Sequence, residues 1–121
     1  MRQPPSPRAA SLFDRVERAG LTLPGVVAAT RYDGSPVLRL RGVFVAALAS
    51  HSSAEAGSLV VRTNLDDREY LLEEAPDTYY VTDYYRPYPV VLARLAALDD
   101  DALHDLLSVS RRLADEKTRR R

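Results

Sequence analysis

The run VLRLR-G-VFVAALA, residues 37–49, constrains the fold more than any other stretch. Val37, Arg39 and Arg41 alternate with Leu38 and Leu40, a period of two that belongs to a strand and not to a helix. Gly42 stands where such a strand reverses, and Val43–Ala49 returns as a more buried partner. The hairpin has an arginine side and a leucine side. Its leucines need a second layer of structure to cover them.

The flanking segments extend this hairpin into a sheet. VVAATRY (26–32) is expected as a strand, joined to it by the turn DGSP (33–36). SHSSAEAGS (50–58) is a polar connection to a fourth strand, LVVRT (59–63). TYYVT (78–82) and VVLARLA (90–96) are expected to be two more strands, separated by the proline-braced loop DYYRPYP.

Three helices punctuate the strands. Ser6 and Pro7 read as a cap and a first helical residue, followed by Ala9, Leu12, Phe13, Val16 and Ala19 at helical spacing, with Gly20 as the stop. Asn64 caps LDDREYLLEEA, with Asp66 and Asp67 in the first turn where the helix dipole favours them, and Pro76 stops it. Asp99 caps a last helix with an apolar stripe of Leu103, Leu106, Leu107 and Leu113. The expected architecture is α+β, in the order α-β-β-β-β-α-β-β-α, with an antiparallel sheet and the helices on one face. A chain of 121 residues has room for one such domain. It is placed at residues 7–114, between a flexible N-terminus (1–6) and a basic C-terminal tail (115–121).

Composition narrows the chemistry. There is no cysteine, hence no disulfide framework and no thiolate ligand or nucleophile. The opening MRQPPSPRAASLF lacks the apolar run of a signal peptide, and no stretch approaches the ~18 apolar residues of a membrane helix. A cytoplasmic chain with no membrane association is expected. His51 and His104 fall in no metal-ligand spacing and read as solvated surface residues. The acidic groups Asp66-Asp67 and Asp99-Asp100-Asp101 sit at helix starts, where capping explains them. Neither a nucleophile elbow nor a phosphate-binding glycine loop is present. A protein without catalysis, cofactor or metal is therefore expected.

One stretch remains for function. YYVTDYYRPYPVV (79–91) holds five of the seven tyrosines around Arg86, in a chain with no tryptophan and two phenylalanines. Tyr84, Tyr85 and Tyr88 with Arg86 suit stacking and phosphate or base-edge contact. Arg39 and Arg41, two apart on one strand, are expected to project from the same face toward successive phosphates, with Arg62 and Arg94 extending the patch. Arginine supplies all but one of the seventeen basic residues, which also follows from a genomic bias toward Arg and Ala. The formal net charge is zero, so any phosphate-binding surface is local. Two other readings fit the same residues. The tyrosines close a small core and Arg86 ties the loop, or the segment is a protein-binding or self-association surface.

Several segments, taken in order, resemble MmcQ/YjbR-like proteins: LPGV (23–26), GSPVLRLRG (34–42) with FVAAL (44–48), LVVRTNLDDREYLLE (59–73), YYVTDYYRPYPVVLARL (79–95) and LDDDALHDLL (98–107). The likeness runs from about residue 10 to 114. It implies a CyaY-like fold and a double-wing protein that binds double-stranded DNA, possessing a regulatory rather than catalytic role. Tyr85, Arg86, Tyr88 and Pro89 match the family pattern. Tyr84 stands where a histidine is common, Asp83 where proline is, Pro87 where glycine is, and Val43 where lysine is. The alternative function is a protein–protein interaction module without a nucleic-acid role.

Overall fold

A computed structural model describes residues 7–120, with side chains from residue 11 onward. The expected Ser6 cap and flexible first six residues lie outside them. The elements are α1 (Pro7–Gly20), β1 (Val26–Thr30), β2 (Pro36–Leu40), β3 (Val43–Leu48), β4 (Ser58–Arg62), α2 (Leu65–Glu74), β5 (Tyr79–Tyr80), β6 (Val90–Arg94), a 3-10 turn (Leu95–Ala97) and α3 (Asp100–Arg119). The six strands form one antiparallel sheet in the order β1-β2-β3-β4-β6-β5. The fold is α+β.

Local chemistry sets the borders. The Asn64 side chain accepts the Asp67 N–H at 2.7 Å, and Asp99 accepts the Ala102 N–H at 2.8 Å, so both expected caps start their helices. The expected strand 78–82 shortens to Tyr79–Tyr80. The Thr82 carbonyl accepts the N–H groups of Tyr85 and Arg86 instead, which turns the chain away from the sheet. The strand expected at 90–96 ends at Arg94 because Leu95–Ala97 turn into α3.

Alternation sorts the side chains into two layers. Leu38, Leu40, Val45, Leu59, Val61 and Val91 face α1 and α3 and pack on Phe13, Val16, Leu103 and Leu107. Val37, Ala47, Val60, Val90 and Leu92 face the other way and form a second cluster around Tyr85, to which no helix contributes among the described residues. The two tyrosines of β5 divide accordingly: Tyr79 enters the helix-side core and Tyr80 packs on the opposite cluster.

A bulge in β3 links the two layers. Leu38 pairs with Ala46 but Arg39 pairs with Phe44, so Val45 has no partner on β2. Ser110, fully buried in α3, donates its hydroxyl to the Val45 carbonyl at 2.7 Å. From the other side Arg62 Nε donates to the Phe44 carbonyl at 2.7 Å. The irregularity is thus satisfied by one polar side chain from each face.

Arg41 corrects the alternation read from sequence. Arg41 and Gly42 have φ of 48° and 81°, the positive pair of a tight hairpin turn. Arg41 therefore does not continue the Arg39 side. It swings to the helix side, where Nη1 donates to Asp115 Oδ1 at 2.8 Å and to Thr118 Oγ1 at 3.2 Å. α3 runs on to Arg119, so residues expected in a basic tail are helical and dock this hairpin. The hydrogen bond from Arg41 holds the Asp115 carboxyl below the usual aspartate range.

Ser110→Ala is expected to lower stability by about 1 kcal/mol. Loss of the bond to a buried carbonyl outweighs the small gain in helix propensity, whereas Ser108→Ala, which removes only a bond to its own helix, changes little. Chemical denaturation of both variants checks this. The Arg41–Asp115 contribution is complete above the unfolded aspartate value of about 3.9 and disappears as pH falls through the lower folded value. The difference in thermal stability between Asp115→Asn and the parent is therefore expected to be full and constant above about pH 4 and to vanish as pH falls further.

Candidate functional site

The helix-free face of the sheet carries an unusual charge pattern. The only charged residues within the six strands are Arg39, Arg62 and Arg94. All three alternate with residues of the helix-side core and so lie on the open face. Most of the seventeen carboxylates ride on the three helices. A chain of zero net charge thus has a sheet whose only formal charges are positive.

The three arginines are not equivalent. Arg39 is half-buried opposite Phe44 and makes no hydrogen bond or ion pair among the described residues. Arg62 is held by Nε on the Phe44 carbonyl, and its two terminal amino groups have no hydrogen-bond partner among the described residues. Burial pushes its pKa down. Arg94 is committed elsewhere. Nε and Nη2 grip both oxygens of Glu55 at 2.9 and 2.7 Å, Nη1 donates to the carbonyls of Pro76 and Asp77, and the guanidinium lies 4.3 Å above the Tyr80 ring. The hydrogen bond between them pushes Arg94 up and Glu55 down. Arg62 and Arg94 also sit at opposite ends of the β4–β6 pair, roughly 13 Å apart along the strand. Arg94 is a strut between two loops and does not extend the patch.

The loop Thr82–Pro89 folds over this face. Tyr85 is its anchor, buried in the second apolar cluster, with its hydroxyl accepting the His51 N–H at 3.2 Å. Burial pushes the Tyr85 phenol up. Tyr85 therefore anchors the loop, and little of its ring is left exposed. Tyr84 and Tyr88 stand at the rim, 40% and 52% exposed. Arg86 is exposed and approaches Asp83 only at 3.8 Å, so it does not tie the loop.

Arg68 does. This residue of α2 is 5% exposed. Its Nη1 donates to the carbonyls of Arg86, Tyr88 and Val90 at 3.2, 3.0 and 3.1 Å. The sequence marked it as one more charge in LDDREYLL. Its position three and four residues before Leu71 and Leu72, on the apolar side of the helix, was the signal that it points inward.

His51 is the second residue that sequence reasoning undervalued. Expected on the solvated surface, it is half-buried and stacked on Tyr84, with ring centroids 3.6 Å apart and planes 10° from parallel. Its Nδ1 accepts the Ser53 N–H at 3.0 Å, which places the proton of the neutral ring on Nε2. Ser53 Oγ lies 2.9 Å from Thr82 Oγ1 and joins this turn to the tyrosine loop. His104 is exposed on α3.

Between loop and sheet lies a cleft of about 330 Å³. Phe44, Val60 and Val90 supply its apolar lining, Tyr84, Tyr85, Tyr88 and His51 the aromatic part, and Arg31 and Arg62 the charge. Among the described residues no carboxylate lines it. Among the described residues no group of three or more His, Asp or Glu is placed to hold a metal ion, and no helix is long and apolar enough to cross a membrane. Comparison with protein-family models, curated proteins and solved structures gives no match to this chain.

Arg68→Met is expected to cost about 2–4 kcal/mol and to loosen residues 82–90, because it strips three carbonyls of a charged donor. Arg86→Ala is expected to stay within about 0.5 kcal/mol of the parent. Urea unfolding gives the energies, and amide hydrogen exchange across 82–90 locates the change.

Proposed function

We propose that this chain is a non-catalytic protein that binds double-stranded DNA with the helix-free face of its sheet, in an accessory or regulatory role. The observation that carries the reading is the segregation of charge. The strands hold arginine as their only charged residue, all on one face, while most carboxylates lie on the helices. Arg39 and Arg62 have donors not engaged within the described chain, and Arg86 is exposed on the loop that covers the same face. Tyr84 and Tyr88 add exposed rings with polar tips. The ordered resemblance to MmcQ/YjbR-like proteins supports the same reading.

The footprint is small, and zero net charge fits a contact with few phosphates. Three arginines neutralising three phosphates give a slope of log K against log salt of about −2.7. Arg41 and Arg94 fall outside the surface, since each already holds a carboxylate.

A second reading is favoured by the sheet edge. β1 is an outer strand whose Val27 is 53% exposed, and Tyr32 beside it is 90% exposed. An edge of this kind pairs with another chain unless it is protected. Light scattering over a range of concentrations separates that reading, which requires a rise in mass, from the first.

Fluorescence anisotropy with generic duplex DNA across a salt series is the test of DNA binding. The double variant Arg39→Ala/Arg86→Ala is expected to lose roughly 10- to 100-fold in affinity at low salt, with a slope shallower by about 2. Arg94→Ala and Arg41→Ala are expected to bind like the parent. Absence of binding by micromolar protein at low salt overturns the reading.

A further inference from the structure

The cleft beneath the tyrosine loop poses a problem that its own residues do not solve. Arg62 is half-buried, burial pushes its pKa down, and no carboxylate pairs with it among the described residues. A desolvated guanidinium is costly unless an anion or a set of acceptors meets it. Here a single backbone carbonyl is met by Nε, and the fork of Nη1 and Nη2 is left for something else. That fork is the geometry that grips a carboxylate or phosphate through two parallel bonds.

The rest of the cleft is built for a flat apolar body. Phe44, Val60 and Val90 line it. His51 and Tyr84 are stacked into one slab, braced edge-on by Tyr85 at 4.9 Å between centroids. Tyr88 stands 6.3 Å from Tyr84 with its plane tilted by 47°, so the two exposed rings are not stacked on one another. Arg31 adds a second positive charge. Its Nη2 donates to the Leu48 carbonyl at 2.6 Å, four residues along β3 from the carbonyl that holds Arg62. The volume, about 330 Å³, lies at the lower end of the ~300–1,000 Å³ of small-molecule sites.

We infer that this cleft is a binding site for a small planar ring that bears one carboxylate or phosphate, its anion gripped by Arg62 and its ring lodged among Tyr84, Tyr88 and the Phe44–Val60–Val90 lining. Aromatic carboxylic acids and nucleoside monophosphates share this chemistry. The inference concerns a free small molecule and does not rest on duplex binding.

The experiment is an NMR titration of the full chain with benzoate, adenosine 5′-monophosphate, adenosine, benzyl alcohol and inorganic phosphate, each separately. At least one of the two charged rings is expected to bind with a Kd of about 1 mM or tighter. It is expected to shift the amides of His51, Arg62 and Tyr84–Tyr88. Its uncharged counterpart should bind at least about tenfold weaker, one salt-bridged contact's worth. Benzoate binding alone assigns the site to aromatic acids, and nucleotide binding alone assigns it to nucleotides. Arg62→Gln is expected to lose binding about tenfold or more, and Arg62→Lys to be intermediate because it keeps charge without the fork. Tyr88→Ala, which removes a rim ring, supplies an independent loss if Arg62→Gln fails to fold. Failure of both charged rings to bind by about 10 mM, equal binding of charged and uncharged rings, or phosphate binding as tightly as the nucleotide would each overturn the inference.

Discussion

The open face of this protein depends on one buried arginine. Arg68 leaves α2, crosses beneath the tyrosine loop and donates to three alternate carbonyls, those of Arg86, Tyr88 and Val90. Among the described residues no carboxylate pairs with it and its Nε has no hydrogen-bond partner, so its charge is met by backbone carbonyls. Such an arrangement persists only because the surrounding structure holds it. In return it fixes where β6 begins and how far the loop stands off the sheet. The positions of Tyr84, Tyr88 and Arg86 follow from that.

The bulge in β3 completes the scaffold. One extra residue, Val45, leaves carbonyls that the β2–β3 ladder does not use, and Ser110 and Arg62 take them from opposite sides. The same side chain that repairs the sheet also lines the cleft. A structural tie and the proposed anion donor therefore share one residue. The other arginines divide more cleanly. Arg41 and Arg94 are paired with carboxylates and hold elements together, while Arg39 and Arg86 are not so held.

The sequence made the element order, the three helices and the antiparallel sheet legible because each rests on local signals: period-two alternation, Asn64 and Asp99 caps, and turn glycines. The division of arginines was not legible, because it depends on contacts far apart in the chain. Arg41 looked like the next residue of a strand until the Arg41–Gly42 turn took it to α3. Arg94 looked like a surface cation until Glu55, 39 residues away, gripped it. Arg68 could have been placed by its helical register with Leu71 and Leu72, though nothing local names the carbonyls it meets. His51 gave no signal at all, since its stack on Tyr84 is made by two loops meeting over the sheet.

The central claim is that the arginine-bearing, helix-free face is the surface that meets nucleic acid. The most direct measurement is a ¹H–¹⁵N NMR titration of the full chain with a short duplex at low salt. The account predicts its largest shifts at Arg39, Phe44, Arg62 and Tyr84–Tyr88, with α1 and α3 nearly silent. Shifts confined to the helices, or none at saturating duplex, would contradict it.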